Sequence, residues 1–563
     1  MKAIQLITLI VFVLIVSSIH AQTPGWSWAR GNTGAGIEAW GQSVCTDAMG
    51  NIYVTGSYKG RNIILGNDTL INTDSTRVDT YIAKYDASGN VLWAINAGGM
   101  RDDYTTGIAC APNGDIVVTG WYESDHISFG GVTLYNSFVG RGDIFVARLG
   151  ASGNTIWAKS AGNTREDIAF GIATYLSGNA YIAGRFESPT ITFGSSVLTN
   201  DSNYYSKSFL VKYDASGNAL WGRSGKGQYA NEATGIATDA AGYIYITGDY
   251  SGQELVLEGD TLSNIYSIAN SPTIYLAKYD NSGNVLWGTT AGGTNQNLAT
   301  GITTDRFGHI YVTGIFMKGT IYIDGNAATN PGNPSYNIDG FIAQFDENGY
   351  GQWIRDIGGN RDENAGSLSV DETGGIYVTG TFNDSILVYG TDTLRQNRGT
   401  GVLLIKYNSI GNIVWAKGAS SRVAAGFNIG YGVCTDHQGN VYLVGEGAYG
   451  TAFDQDTIGE TAGHGYAFIA KVHAFIATSV EETGIRSGIV LYPNPSTGVF
   501  YFAGMKEGEM IEVYDVMGRN TLLIRREDAG NSVVNLSGKA KGVYFYRITD
   551  AGNLVQQGKM VVE

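Results

Sequence analysis

Repetition constrains this chain more than any other feature. A segment reading Gly-Asn-Ile-Tyr-Val-Thr-Gly ends at Gly56. Drifted copies end at Gly120, Gly184, Gly248, Gly314, Gly380 and Gly445, 64 to 66 residues apart. A tryptophan keeps nearly the same period, at Trp28, Trp93, Trp157, Trp221, Trp287, Trp353 and Trp415. So does a Phe-Ile-Ala-Lys-Tyr-Asp type segment carrying Lys84, Arg148, Lys212, Lys278, Gln344, Lys406 and Lys471. Self-similarity at a fixed period marks stacked supersecondary units.

Each copy holds four strand-like runs. In the first they are 42–46, 52–56, 81–85 and 91–96, with turns of Asp and Gly at 47–50 and 86–90. The runs are nearly continuous in apolar residues, which fits sheets covered on both faces. Four short antiparallel strands, seven times over, predict a β-propeller rather than an open solenoid, which would need capping repeats. The seventh copy lacks its tryptophan strand and reads His473-Ala474-Phe475-Ile476-Ala477 there. Conversely, Trp26-Ser27-Trp28-Ala29-Arg30 is a tryptophan strand with no partners before it. The expected fold is therefore all-β: a seven-bladed β-propeller with its N-terminal strand closing the last blade, followed by a small Ig-like β-sandwich.

Composition narrows the class further. With 80 glycines, 8 prolines, 15% charged and 12% aromatic residues in 563, the chain is neither disordered, collagen-like nor a helical bundle. Its net charge of −15 and the lack of a basic stripe exclude nucleic acid as a partner. Lys2, an apolar run from Ile4 to Val16 and Ser17-Ser18-Ile19-His20-Ala21 read as a cleaved signal peptide over 1–21. No other apolar segment is long enough to span a membrane, so the mature protein is expected to have no transmembrane span. The propeller is placed at 22–475, a linker at 476–489 and a separate small β-domain at 490–563.

The motif Gly-Ile-Ala-x-Asp-x-x-Gly-Asn-x-Tyr-Val-Thr-Gly is well kept from Thr234 to Gly248, and Tyr175 replaces its Asp in the preceding copy. These repeats resemble those common in exported proteins of Bacteroidota. The tail resembles the type A C-terminal sorting domain of the type IX secretion system. The resemblance rests on Tyr492-Pro493-Asn494-Pro495 with Gly498, on Asp515, Gly518 and Arg519, and on Gly542 and Tyr544. It implies the type IX machinery as a partner and a destination outside the cell or on its outer surface.

The search for chemistry returns architecture. Cys45 and Cys434 share one repeat position, filled elsewhere by small residues such as Ala109 and Ala173. The first and seventh copies would be neighbours in a closed ring, so a Cys45–Cys434 disulfide is one option, with the reach between inner strands against it. Neither the cysteine nor the histidine spacing fits a metal site, and no cofactor is expected. The turn Asp86-Ala87-Ser88-Gly89-Asn90-Val91-Leu92-Trp93 resembles the tryptophan-docking motif of quinoprotein dehydrogenases and, with wrong spacing, the sialidase Asp-box. Those families imply the alternative of a propeller enzyme, a quinoprotein-like oxidoreductase or a glycoside hydrolase. The recurrent turn acids, Asp47 and Asp86 among them, offer one carboxylate per turn, too few for calcium.

The two tight turns of each blade share one face and are nearly uniform. The opposite face carries variable loops, and binding residues favour variable loops on a rigid scaffold. The candidate ligand-binding residues there are Arg101, Asp102 and Asp103; Arg165, Glu166 and Asp167; and Arg361, Asp362 and Glu363. Asp-Thr-Leu or Asp-Thr-Ile segments at Thr69, Thr261, Thr393 and Thr457 resemble the O-glycosylation signal of Bacteroidota, or else encode a hairpin turn. The expected function is a non-enzymatic, exported, monomeric propeller binding a glycan or surface protein, with a passive surface-layer protein as a further alternative.

Overall fold

The computed structural model describes residues 24–473 and 489–562, apart from positions 34–37, 203, 267–270, 294, 318, 331–337, 397–398, 422–425 and 460–464 in the first stretch and 493, 495, 504, 507, 515–519, 526–531, 540 and 551–552 in the second. Residues 1–21, read from the sequence as a signal peptide, lie outside the described residues. The chain divides into two compact units at Ala474 and Phe475. All helix and strand structure among the described residues is β-strand.

In the first unit, strands group in fours with the repeat. Sheet 1 runs Glu38–Thr46, Ile52–Lys59, Val78–Tyr85 and Val91–Ala97, in that spatial order. Sheets 2 to 6 repeat the order within 103–161, 167–226, 231–293, 297–357 and 363–421. Sheet 7 takes Ile429–Thr435, Asn440–Gly447 and Tyr466–His473, and its fourth strand is Trp26–Gly31, with Trp28 opposite Lys471. Middle strands such as Val78–Tyr85 and Ile376–Phe382 are buried along their whole length. The first strands line a cavity of about 220 Å³ through Ser43, Thr106, Phe170, Ile236, Ile302 and Leu368.

The repeat landmarks have mechanical explanations. The first strand of each sheet bulges opposite the landmark glycine, for instance between Gly41 and Ser43. This brings the Trp40 carbonyl to 2.1 Å from where a Cβ on Gly56 would stand, and the Tyr81 hydroxyl to 2.6 Å. No side chain fits there, which accounts for glycine at that position. The landmark tryptophan links neighbouring sheets. Its Nε1–H donates to a carbonyl in the next sheet's second turn, from Trp93 to Ala151 (3.1 Å), Trp157 to Ala215 (3.0 Å) and Trp287 to Glu347 (3.1 Å). Its ring lies against the glycine of that turn, Trp93 on Gly153 and Trp28, from sheet 7, on Gly89 of sheet 1.

A second chain of links runs along the first strands. Each threonine hydroxyl donates to the preceding sheet: Thr174 to the Cys110 carbonyl (2.7 Å), Thr238 to Thr174 (3.0 Å), Thr304 to Thr238 (3.1 Å), Thr435 to Val370 (3.1 Å) and Thr46 to Thr435 (3.2 Å). In sheet 2, Cys110 takes the threonine's place, and there a disulfide replaces the hydrogen bond.

That disulfide answers the pairing that the sequence left open. Cys45 pairs with Cys110, Cα atoms 6.0 Å apart, and Cys434 is a free thiol. Equivalent positions in neighbouring sheets point the same way round, so Cys434 faces the core shared with sheet 1 while Cys45 faces that shared with sheet 2. Cys110 sits one residue out of that register and, with the period-2 alternation of a strand, points back at Cys45. The bond closes a separation of 65 residues, for which the chain-entropy model gives roughly 4 kcal/mol. Denaturant titration of Cys45→Ala/Cys110→Ala should show a loss of about 2–4 kcal/mol. An unchanged midpoint would remove the bond from the stabilising set.

The long connection between second and third strands holds a hairpin, and the Asp-Thr-Leu and Asp-Thr-Ile segments form its second strand. In sheet 1 it is Asn62–Leu65 with Asp68–Ile71. The Asp of the Asp-Thr-Leu/Ile segments ties this hairpin to the outermost strand: Asp68 accepts from Ala94 N (2.8 Å), Asp392 from Ala416 N (2.9 Å) and Asp456 from Ala29 N (2.7 Å). The neighbouring Thr69, Thr261 and Thr393 face solvent. Three hairpins also pair with the outermost strand of the preceding sheet, as at Gly225 opposite Leu257.

The second unit has a three-stranded sheet of Val490–Tyr492, Val499–Ala503 and Ser532–Asn535, and a four-stranded one of Asn520–Arg525, Met510–Tyr514, Gly542–Asp550 and Asn553–Val562. Phe500, Ile511, Val534, Tyr546 and Ile548 share its core. Asn494 fixes the entering chain, donating to Lys559 O and accepting from Val561 N, both at 2.8 Å. Gly498 has φ +116°, and a Cβ there would stand 2.5 Å from Ser537 Cα. Tyr544 is buried, Tyr492 stacks on Tyr501 at 5.7 Å, and Gly542 has φ +140°. Pro493, Pro495, Asp515, Gly518 and Arg519 lie outside the described residues.

Candidate functional site

The face opposite the tight turns is built from loops with fixed stems and variable tips. Each described stem begins with an amide residue after the hairpin. Asn136 accepts from Phe138 N (2.7 Å) and donates to Tyr122 O (2.8 Å) and Arg141 O (2.9 Å), clamping both ends of its loop. Asn72 and Asn200 do the same in sheets 1 and 3, through Asp74 N and Arg77 O, and through Ser202 N and Tyr205 O. These are Asx turns, which need only the side chain at the stem and leave the tip free to vary. The tips carry exposed aromatics: Phe138 and, 89% exposed, Tyr204.

The nine sequence-derived candidates divide by position. Asp103, Asp167 and Glu363, the third member of each triplet, are buried. Asp103 accepts from Gly99 N (2.9 Å), Ser124 N (3.2 Å) and Ser124 Oγ (2.8 Å), and Asp167 accepts in the same way from Asn163 and Ser188. They occupy one repeat position, shared with Asn231, Asn297 and Asn428, and fasten the loop bases from inside. Burial pushes the Asp103, Asp167 and Glu363 carboxyls each up to about 7, against those hydrogen bonds. Burial also pushes Asp79, beside Asp103, up to about 8, and it raises Asp339, beside Asp356 and Glu363, well above the carboxylate range.

The remaining candidates stay near the surface. Arg101, Arg361 and Asp362 are exposed, and Arg165 is half-buried. Asp102 pairs with Arg77 at 3.1 Å and accepts from Val78 N at 2.9 Å. Glu166 pairs with Arg185 at 2.8 Å. Nothing brings the three triplets together into one cluster. They sit at separate loop bases.

A more continuous constellation lies on the first and second strands just inside the loops. Trp40 stacks on Tyr104 (ring centroids 6.3 Å apart, 30° between planes), and Tyr104 stacks on Trp121 (4.6 Å, 27°). Trp121 and Glu166 flank the same point over Gly142, at 3.0 and 3.6 Å from its would-be Cβ. Arg185 joins Glu166 to Glu232, at 2.8 and 3.4 Å, and Glu232 is the cross-strand partner of Asp249. The result is an arc across sheets 1 to 4, aromatic at one end and acidic at the other. Sheets 5 and 6 carry Leu298, Ile315, Asn364 and Thr381 at the same repeat positions. The sequence held a signal for this. Of ten tryptophans, only Trp26, Trp40 and Trp121 stand outside the landmark position.

Comparison with known proteins follows the two units. Residues 490–563 match the family model of the secretion system C-terminal sorting domain. The chain is similar to an uncharacterized WD repeat-containing protein of Acanthamoeba polyphaga mimivirus, 24% identical over 487 residues, covering 72% of this chain and 35% of the relative. It thus spans about a third of that relative's length. Among solved structures it is similar to a chain of a mitotic checkpoint complex (10% identity, TM-score 0.41, covering 84% of this chain and 98% of the other). A second is the pyranose dehydrogenase PQQ domain of Coprinopsis cinerea (12%, TM-score 0.31, 80% and 98%). The C-terminal sorting domain identifies a secreted or cell-surface protein handled by the type IX secretion machinery. No helix among the described residues is long and apolar enough to cross a membrane.

Proposed function

We propose that the chain is an exported, monomeric seven-bladed β-propeller that binds a glycan or a surface protein through its loop face. The domain reading is a signal peptide over 1–21, the propeller over 22–475, a linker over 476–489 and the sorting domain over 490–563. The seven four-strand sets, the contact of Trp28 with Gly89 and the WD-repeat relative support the closed ring. The observation that carries the binding role is the loop design: clamped stems, variable aromatic tips and a specialised arc beneath them. Tyr, Ser, Asn and Gly in loops on a rigid β-scaffold form the composition that antibodies use for adaptable recognition. The cavity wall, largely glycine, isoleucine, serine and threonine, suits a structural channel better than an acid–base site.

The test is a screen of the mature full-length chain against glycans and extracellular-matrix proteins. Saturable binding should weaken about tenfold on Tyr204→Ala or Phe138→Ala, the scale of losing one aromatic anchor. Changing Met49 or Leu176 on the turn face should have no effect. Binding that depends on the turn face instead, or no saturable binding at all, would overturn the proposal.

A further inference from the structure

The acidic end of the arc is asymmetric in charge and in hydrogen bonding. Arg185 is its one cation: Nη2 and Nη1 serve Glu166 and Glu232, and its buried Nε has no hydrogen-bond partner. Asp249 is only 9% exposed, and its Oδ1 has no hydrogen-bond partner. Cross-strand partners project from the same face of a sheet, so Asp249 stands beside Glu232 and within the field of the Arg185 charge. A buried carboxylate oxygen without a donor is costly, and the cost is removed by any group that brings a donor and a positive charge. The other end of the arc supplies aromatic rings, which attract cations over their faces and bury the stem of a long side chain.

We infer that this arc is a receptor for a lysine- or arginine-bearing polypeptide segment, whose cationic head meets Asp249 and Glu232 while its stem and neighbours lie along Trp121, Tyr104 and Trp40. The inference rests on the loop-face reading and names its partner chemistry. Three carboxylates against one guanidinium repel acidic peptides and sulfated or uronic glycans. The chain's overall charge of −15 adds long-range attraction for a basic partner. Burial raises both Asp249 and Glu232, with Glu232 adding to the effect on Asp249 and Arg185 opposing it on both. A docked cation would favour their ionised forms, so binding is expected to release protons and to tighten as pH rises.

The experiment is calorimetric titration of the full-length mature chain with short oligolysine and oligoarginine peptides. An oligoglutamate peptide and neutral glucose oligomers serve as controls. Saturable 1:1 binding of the basic peptides is expected, weakened at least tenfold by Asp249→Asn and by Trp121→Ala, and unchanged by Met49→Ala. Asp249→Asn keeps the shape and relieves an unpartnered carboxyl, so it should fold at least as well as the parent, which a melting curve verifies. Basic peptides that bind equally well to the parent and to Asp249→Asn, or saturable binding of only the neutral oligomers, would overturn the inference. If a ligand from the wider screen binds through Tyr204 while the basic peptides do not bind, this inference falls and the loop-face reading stands. If neither binds, both fall.

Discussion

Melting temperature should fall as pH rises from 5 to 9, the reverse of the behaviour expected from a protein held by ionised salt bridges. The cause is the set of buried carboxyls at the loop bases. Asp79 is raised to about 8 by burial and by Asp103, while Asp103, Asp167 and Glu363 rise to about 7 mainly through burial. Asp339 is raised well above the ordinary range by burial and by Asp356 and Glu363. In the unfolded chain such groups titrate near 4. Between pH 4 and 8 the folded state therefore holds more protons than the unfolded one. Stability is full below the unfolded values and is lost as pH climbs through the folded ones. A carboxyl held three units high forfeits about 4 kcal/mol across that window. Neighbouring groups are not additive, so the total is expected to be several kcal/mol rather than the sum. Turn carboxylates act in the other direction. Slight burial opposes the shift, but donors from Asn90 and Ser88 hold Asp86 low, and Asp214 and Asp280 behave alike. Their contribution disappears only as pH drops below 4, which places the optimum in the mildly acidic range. Thermal melts at constant ionic strength check this, with Asp339→Asn expected to raise the melting temperature at pH 9 and flatten the slope. A melting temperature that is flat or climbing toward pH 9 would refute it.

The strand pattern was legible because each strand obeys a local rule that the period repeats. Glycine marks a bulge opposite the second strand, tryptophan marks the outermost strand, and Asp with Gly marks the turns. What escaped was anything set by direction across a sheet interface. Cys45 and Cys434 look equivalent in sequence, yet only a view of which face each strand turns to its neighbour shows that they point apart. The same limit misplaced Asp103, Asp167 and Glu363. They look like loop charge because Arg101, Arg165 and Arg361 precede them, but one residue of alternation takes them inside. The hairpins were legible only as one option for the Asp-Thr-Leu and Asp-Thr-Ile segments, because four-residue strands such as Asn62–Leu65 are too short to display a period. The arc of Trp40, Tyr104 and Trp121 was missed for a different reason. These residues are 17 to 81 positions apart in the chain; strand pairing sets Tyr104 opposite Trp121, and the packing of neighbouring sheets brings Trp40 to them.

Deleting residues 22–31 should abolish the cooperative fold of the first unit, and Trp28→Ala alone should cost about 3–5 kcal/mol, the range for removing a buried aromatic. Trp26 and Trp28 are two residues apart and would ordinarily share one face of their strand. A register shift between them turns them to opposite faces. Trp28 enters the core shared with sheet 1, against Gly89 and 6.3 Å from Tyr442. Trp26 enters the core shared with sheet 6, edge-on to Phe453 at 5.0 Å. One six-residue strand thereby seals both junctions of sheet 7. It also receives two side-chain latches, with Trp26 N donating to Asp454 (2.8 Å) and Ala29 N to Asp456 (2.7 Å). Without it, Tyr466–His473 becomes an unpaired edge, and two apolar interfaces open to water together. Trp28 lies 443 residues from its partner Lys471, so this contact forms late and adds little to local nucleation. Its loss is therefore expected to speed unfolding more than it slows refolding. Urea titration and stopped-flow unfolding of Trp28→Ala measure both effects. Adding residues 22–33 as a free peptide should restore part of the lost midpoint in the truncated chain. A truncated chain with the parent's midpoint would show that sheet 7 stands without its N-terminal strand and that the ring is not closed through it.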